Sequence, residues 1–327
     1  AKRTTKACST CCAVHHAEVF RTLARDVEGL ITVEQVADDL SALAEVILRI
    51  TARWVWQRMK QRHGELPRIA IIAYGKLGGK ELGYGSDLDI VFVYEDEDER
   101  AQEIYAAYVR KLINWLTVKT GEGDLYEIDT ALRPNGNSGM LVTSMTAFAN
   151  YQERRGSNTA WTWEHQALVR SRVVAGDADL AVDFGKVREA VLRQVRDTQS
   201  LGTEVRQMRE KMRKHLGQST KDGKLSLKQG SGGIVDIEFM VQFAVLAWSH
   251  NHPDISRWSD TIRTLESLAQ CGLLSEQQSG MLIDAYKRYR SAGHRLQLQN
   301  QLAEVPSSEF LQCREWVIAE WEHFFKR

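Results

Sequence analysis

Val36, Leu40, Leu43, Ile47, Ile50 and Trp54 recur at alternating steps of four and three. That spacing predicts one apolar stripe along a long helix. Gly64 and Pro67 in HGELPR end it. The period then changes. RIAIIAY at 68–74 is a short, nearly continuous apolar run and reads as a buried strand, and LDIVFVY at 88–94 reads as a second. EDEDER at 95–100 reads as a solvated turn. Ile104, Tyr108, Leu112 and Trp115 then place one helix face in the core. GEGD turns the chain into a third strand, LYEIDTAL at 125–132, stopped by Pro134 and Gly136.

After about residue 145 the pattern reads as helix throughout. EVRQMREKMRKHL sets Val205, Met208 and Met212 at helical spacing, with Arg206, Arg209 and Arg213 as a parallel basic stripe. KQGSGGI is a loop, and the segments 234–248, from 261 and from 275 are further amphipathic helices. Four prolines in the whole chain agree with so much helix. The expected fold is α+β: a small mixed sheet set between helical pieces. The expected division is an N-terminal helical segment at 1–66, a sheet domain at 67–180 and an all-helical bundle at 181–327.

Composition narrows the function classes. The 327 residues hold 43 Lys plus Arg against 43 Asp plus Glu, a formal net charge of zero. A protein that grips long nucleic acid usually shows a basic excess, so neutrality argues against DNA or RNA and leaves a small anion such as ATP. No apolar run approaches the length of a membrane span and no signal peptide is visible, so the expected location is the cytoplasm, away from membranes. The chain opens on Ala1 rather than Met, and a missing neighbouring domain is expected. Cys8, Cys11, Cys12, Cys271 and Cys313 are sparse and odd in number, which suggests free thiols. CSTCCAVHH offers thiolates and imidazoles at zinc-like spacing, but no second ligand pair follows at finger distance. The plainer expectation is a frayed, disordered segment over the first sixteen residues.

The candidate chemistry lies in YGKLGGKELGYGSDLDIVF at 74–92. Residues two apart on a strand share a face, so Asp87 and Asp89 point the same way. Two carboxylates this close repel, and a hard divalent cation with oxygen ligands resolves the conflict. Glu127, Asp129, Ala131 and Arg133 share one parity of the third strand, so Asp129 completes a three-carboxylate site if the strands are neighbours. Gly75, Gly78 and Gly79 let the backbone approach an anion and offer N–H groups to phosphate. The spacing is neither the Walker pattern nor the dinucleotide fingerprint. Glycines alone would indicate only a turn. Glycines with Asp-x-Asp at a strand start and a later strand Asp indicate a nucleotide and metal site for phosphoryl chemistry.

The arrangement resembles the DNA polymerase β-like nucleotidyltransferases. GKLGGKELGYGSDLDIVF, LYEIDTALRPNGNSGMLVTS, AWTWEHQALVRSRVVAGD, EVRQMREKM and GGIVDIEF resemble the catalytic domains of bacterial glutamine synthetase adenylyltransferases, from about residue 17 onward. That family carries two such domains in one polypeptide, one transferring and one removing adenylyl groups. GMLVTS followed by AWTWEHQALVR is similar to the C-terminal, transferring copy. The resemblance implies transfer of AMP from ATP to a tyrosine of glutamine synthetase, with a PII-type regulatory protein as a further partner. It implies that Asp87, Asp89 and Asp129 hold Mg²⁺ or Mn²⁺, with Asp129 helping to take the tyrosine proton. It also implies that Gly78, Gly79 and Ser86 meet phosphate oxygens, and that Lys76 and Arg133 neutralise phosphate charge. Phosphorolytic removal of AMP and a silent MgATP-binding module are the alternatives. Two departures stand out: the family usually has Arg where this chain has Ala131, and the first sixteen residues match nothing recognisable.

Elsewhere plainer readings compete. Glu164, His165, Arg170 and Arg172 are either a surface ion-pair helix or part of a binding site. Asp236 and Glu238 sit at a predicted helix start, where the dipole favours carboxylates, so capping is expected before catalysis. Arg206, Arg209 and Arg213 read as a solvated face, with docking of an acidic partner as the sharper alternative. Trp161 and Trp163 are expected in the core. His215 and His294 show no metal spacing.

Overall fold

The computed structural model describes residues 2–216 and 223–326. The chain divides into two compact units, the first formed by residues 1–160 with 170–190 and the second by 161–169 with 191–327.

The first unit is built on a five-stranded mixed sheet. Strands β1 (Ile69–Ala73) and β2 (Leu88–Tyr94) pair antiparallel, Ile69 opposite Tyr94 and Ala73 opposite Ile90. Every residue of β1 is buried, and all of β2 except Asp89, which is why both read as continuous apolar runs. On its other edge β2 takes two short parallel partners in succession, β3 (Ile128–Asp129) and β4 (Val142–Ser144). The expected third strand at 125–132 thus shrinks to two residues, because the chain turns at once at 131–132. The outer partner of β1 is β5 (Arg172–Gly176), which the helical reading of everything past residue 145 passed over. Val173 and Val174 were the available signal.

Helices α1 (Lys2–Val27), α2 (Val33–Gln57) and α4 (Ala101–Thr117) close this core, α3 (Gly75–Gly78) is a single turn after β1, and α5 (Met145–Gln152) and α7 (Ala178–Leu192) follow β4 and β5. Thr32 and Gln35 form a capping box that starts α2, each side chain meeting the other's backbone N–H. The buried face of α2 runs through Val36, Leu40, Ala44, Leu48, Thr51 and Val55. Of the expected stripe, Val36, Leu40 and Ile47 are buried and Leu43 and Trp54 pack half-buried against the core, while Ile50 is exposed. Trp56 stacks on Tyr105, which stacks on Tyr94, at centroid spacings of 5.6 and 5.0 Å. Residues 2–16 are not frayed. They belong to α1, and Cys8, Cys11 and Cys12 are buried against the core. Burial pushes all three thiols up. Buried, protonated cysteines behave as small hydrophobes, and these three pack as such.

The second unit is mostly helical. Helix α6 (Thr162–Val169) joins α8 (Thr198–Leu216), α9 (Ile234–Trp248), α10 (Thr261–Gln270), α11 (Glu276–Leu298) and α12 (Leu311–Phe324). It is not all-helical: β6 (Lys224–Ser226) and β7 (Glu304–Pro306) pair antiparallel. Eleven of the fifteen residues of α9 are buried, so it is the central helix of its unit. No described helix is long and apolar enough to cross a membrane.

Candidate functional site

The glycine segment forms a tight turn whose shape the sheet dictates. Gly75 follows β1 with φ of +54°, and a side chain there would overlap the Asp89 carboxylate. Only glycine suits both demands. A side chain at Gly78 would overlap the Arg170 carbonyl oxygen. Arg172 locks the turn from β5, its Nε donating to the Gly78 carbonyl at 3.1 Å and its Nη2 to Leu77 at 3.0 Å. Its Nη2 also reaches Glu45 Oε1 at 2.7 Å. Arg170 pairs with the buried Glu81.

The carboxylates meet at the start of β2. Asp89 stands opposite Asp129 in the parallel β2–β3 register, and Asp87 lies two residues upstream on the same strand line. Burial, then the charges of Asp87 and Asp129, push the Asp89 carboxyl up to about 6, against Lys76 and Arg170. The backbone thus concentrates negative charge on a half-buried carboxylate. One Asp129 oxygen accepts from the Ala131 N–H at 2.7 Å, which fixes its orientation. Among the described residues, no three His, Cys, Asp or Glu side chains are gathered tightly enough to hold a metal ion by themselves. Asp87, Asp89 and Asp129 thus do not close a metal cage by themselves, and a hard cation held there would need further oxygen ligands from outside the protein.

The other candidates divide. Lys76 Nζ donates to Ser86 Oγ at 3.4 Å, which also accepts from the Gly83 N–H at 3.1 Å, so these two side chains lie together beside Asp87. Gly78 and Gly79 do not present free N–H groups: theirs donate to the Tyr74 and Gly75 carbonyls within α3. Their contribution here is close packing. Arg133 is turned into its own loop, bonding Thr130 O at 2.7 Å, Thr130 Oγ1 at 2.8 Å, Asn137 O at 3.1 Å and Gly139 O at 3.3 Å. Ala131 sits in a turn, so strand parity stops at Asp129.

Several secondary expectations are corrected. Glu164, His165 and Arg170 are buried, so the segment is no surface ion-pair helix. Glu164 caps α6 by accepting from the Trp161 N–H at 2.8 Å. Trp161 and Trp163 are exposed rather than core. Arg209 is fully buried and bonds Asp236 Oδ1 at 2.6 Å, while Arg213 bonds Asp236 Oδ2 at 2.6 Å. The basic stripe is therefore not a solvated face. Asp236 also accepts from the Gly232 N–H at 2.7 Å, but Gly232 precedes the cap residue Gly233 and no side chain caps this helix start, so Asp236 is an ion-pair partner rather than the expected cap. Glu238 accepts from the Tyr286 hydroxyl at 3.1 Å. The residues that sequence reasoning left undecided, Arg170 and Arg172, are those that brace the glycine turn.

The family model described as glutamate-ammonia ligase adenylyltransferase matches residues 2–187. The match includes the first sixteen residues, correcting the expectation that they resemble nothing. A second model, GlnD PII-uridylyltransferase, matches residues 205–305. A bifunctional glutamine synthetase adenylyltransferase/adenylyl-removing enzyme of Ralstonia nicotianae is 46% identical over 95% of this chain and 32% of its own length. Proteins of the same name from Burkholderia mallei and Hahella chejuensis are 46% and 44% identical, over 95% and 94% of this chain and 34% of each relative. The chain thus spans about a third of the length of these curated relatives.

Proposed function

The chain belongs to the glutamate-ammonia ligase adenylyltransferase family, and from that premise we propose that it transfers AMP from ATP to a tyrosine hydroxyl of glutamine synthetase. The observation that carries this reading is Asp89, raised to about 6 by burial and by Asp87 and Asp129 at the edge of a glycine turn. Carboxylates convergent on one strand end, beside Lys76 and Ser86, suit a triphosphate and a cation. In this reading the sheet is of the polymerase β-like kind, and the chain corresponds to the transferring part of its longer relatives, acting in the cytoplasm. The likeness of residues 205–305 to a PII-uridylyltransferase model supports a PII-type protein as regulator.

The proposed step balances simply. The tyrosine oxygen forms a bond to the α-phosphorus of ATP, the bridging P–O bond breaks, and its electron pair leaves on pyrophosphate. Asp129 accepts the phenol proton, which an unassisted tyrosine with a pKa near 10 holds at neutral pH. Asp87 and Asp89 would hold Mg²⁺ or Mn²⁺, which when bound supplies positive charge against the phosphates and carboxylates. Lys76 and Ser86 would meet the phosphate oxygens. Gly78 and Gly79 allow the turn to pass Arg170 closely, and Arg133 holds the loop after Asp129 in shape.

Intact-mass analysis of unmodified glutamine synthetase, incubated with the chain, ATP and Mg²⁺, tests the reading. The expected result is one added AMP per modified tyrosine, absent with Asp89→Asn. Full transfer by the variant would overturn the metal assignment. Because the relatives' name also includes adenylyl removal, a parallel reaction with modified synthetase and phosphate is the second arm. Loss of AMP there, without gain in the first, would assign the reverse chemistry.

A further inference from the structure

A cavity of about 350 Å³ opens in the first unit beside the glycine turn. Helix α1 contributes His15, His16 and Val19, the loop before β2 contributes Leu82 to Ser86, and the stretch before β3 contributes Asp124 to Glu127. Its size lies within the range of small-molecule sites. No residue of the proposed phosphate and metal set except Ser86 lines it.

Its chemistry is one-sided. The lining includes two carboxylates, Asp124 and Glu127, and no Lys or Arg. His15 is only 7% exposed, forms part of the wall, and its Nδ1 has no hydrogen-bond partner. Burial keeps this imidazole neutral, its value lowered to about 4. The two carboxylates accept hydrogen bonds and repel anions, and the neutral imidazole adds no positive charge to offset them. Rings are also at hand: His15 meets Tyr126 edge to face at 4.8 Å and lies 5.2 Å from His16. Val19, Leu40 and Leu125 supply apolar walls.

We infer that this cavity is a binding site for a small flat molecule that presents N–H donors and carries no anionic group on the inserted part. Amidines and amino-substituted heterocycles have this chemistry. Two sources share it: a free effector, or the adenine of the nucleotide whose phosphates are proposed to lie near Ser86. The second source rests on the reading above, while the binding itself does not. The helix whose cysteine face packs into the core thereby holds its histidine pair at the cavity wall.

The probe is benzamidine, titrated calorimetrically into the full chain without nucleotide. Expected is saturable binding with a dissociation constant on the order of 1 mM for so small a ligand. The Asp124→Asn/Glu127→Gln double variant, altered only at exposed side chains, should lose at least about tenfold in affinity by removing charge-assisted bonds. His15→Phe, which fills the wall without a ring nitrogen, should weaken binding in the same direction. Asp89→Asn should bind benzamidine as the native chain does, whatever becomes of its transferase activity. Absence of saturable binding, or full affinity in the double variant, overturns the inference. So does inorganic phosphate competing for the cavity. Displacement of benzamidine by ATP identifies adenine as the occupant; simultaneous binding of both identifies a separate effector.

Discussion

Asp89 and Asp236 are both drawn out of solvent near the start of an element, and their surroundings are opposite. Asp236, at the head of α9, is fully buried and receives Arg209, Arg213 and the Gly232 amide on its two oxygens. Asp89, at the head of β2, is faced by Asp87 and Asp129, whose charges outweigh the opposing influence of Lys76 and Arg170. The protein completes the first carboxylate and leaves the second with excess like charge. A completed buried charge holds its unit together, whereas a buried carboxylate crowded by like charge is a candidate for binding something from outside. Burial alone does not separate the two; the sign of the neighbours does.

The sharpest way to break that contrast is to remove Asp236. Asp236→Ala strands the guanidinium of Arg209 without its partner, and is expected to cost about 3–5 kcal/mol in urea unfolding followed by circular dichroism. Asp236→Leu combined with Arg209→Met should recover most of that loss, because it removes both charges together. A cost below about 1 kcal/mol would mean that Arg209 finds another acceptor and that the pair is not what completes Asp236.

His15 extends the contrast to a base. Its folded value of about 4 lies below its ordinary 6.5 because burial disfavours the proton. The sign follows: above pH 6.5 both folded and unfolded imidazoles are neutral and His15 contributes no penalty. As pH falls from 6.5 towards 4 the unfolded chain takes up a proton that the folded chain resists, and stability is lost. The stability difference between the native chain and His15→Phe should be flat above pH 6.5. It should move against the native chain by on the order of 2 kcal/mol between 6.5 and 4. A flat difference throughout would show that His15 is solvated.

Asp89→Asn is expected to run in the opposite direction from Asp236→Ala. A carboxylate raised to about 6 is disfavoured in its ionised form by the fold. Its charge subtracts from stability above pH 6, and the subtraction fades towards pH 4. At pH 7.5 without divalent cation the variant should therefore be more stable by about 1–2 kcal/mol. Millimolar Mg²⁺ together with ATP should raise the melting temperature of the native chain and raise that of the variant less. A destabilised variant, or equal Mg²⁺ effects on both, would place Asp89 with Asp236 as a structural group.

How much of this was legible beforehand follows from which signals are local. The strands at 69–73 and 88–94 announced themselves because a doubly buried strand must be apolar at every position. The face of α4 was readable because Ile104, Tyr108, Leu112 and Trp115 all meet the core. The juxtaposition of Asp89 and Asp129 was readable from Asp-x-Asp spacing and a later strand aspartate, given only that the strands pair. What escaped was decided by distant partners. Arg209 looks like its exposed neighbours until Asp236, 27 residues on, is placed against it. Arg172 has no local reason to donate to Gly78, 94 residues earlier. The turn after Asp129 defeated strand parity because Arg133 and its carbonyl partners fold the loop back on itself. The cysteines of α1 resembled ligands in isolation, and only their common burial shows them as packing residues.

The smallest expected effect refines the comparison within one stripe. Arg206, Arg209 and Arg213 look equivalent in sequence, yet their side chains are 40%, 0% and 30% exposed. Arg206 reaches Glu322 only at 3.7 Å, and both side chains are open to solvent. Such a pair gains little, because water already solvates each charge and salt screens the rest. Arg206→Ala should shift stability by less than about 1 kcal/mol, and raised salt should erase even that. Arg213 grips Asp236 from a half-buried position beside Trp321, whose ring its guanidinium overlies at 5.5 Å. Arg213→Ala should therefore fall between Arg206→Ala and Arg209→Ala. The predicted order is a statement about solvent access, since all three residues carry the same charge on the same helix. If Arg206→Ala instead matched Arg209→Ala, the stripe would act as one electrostatic surface, and the distinction between completed and exposed charge would fail for this unit.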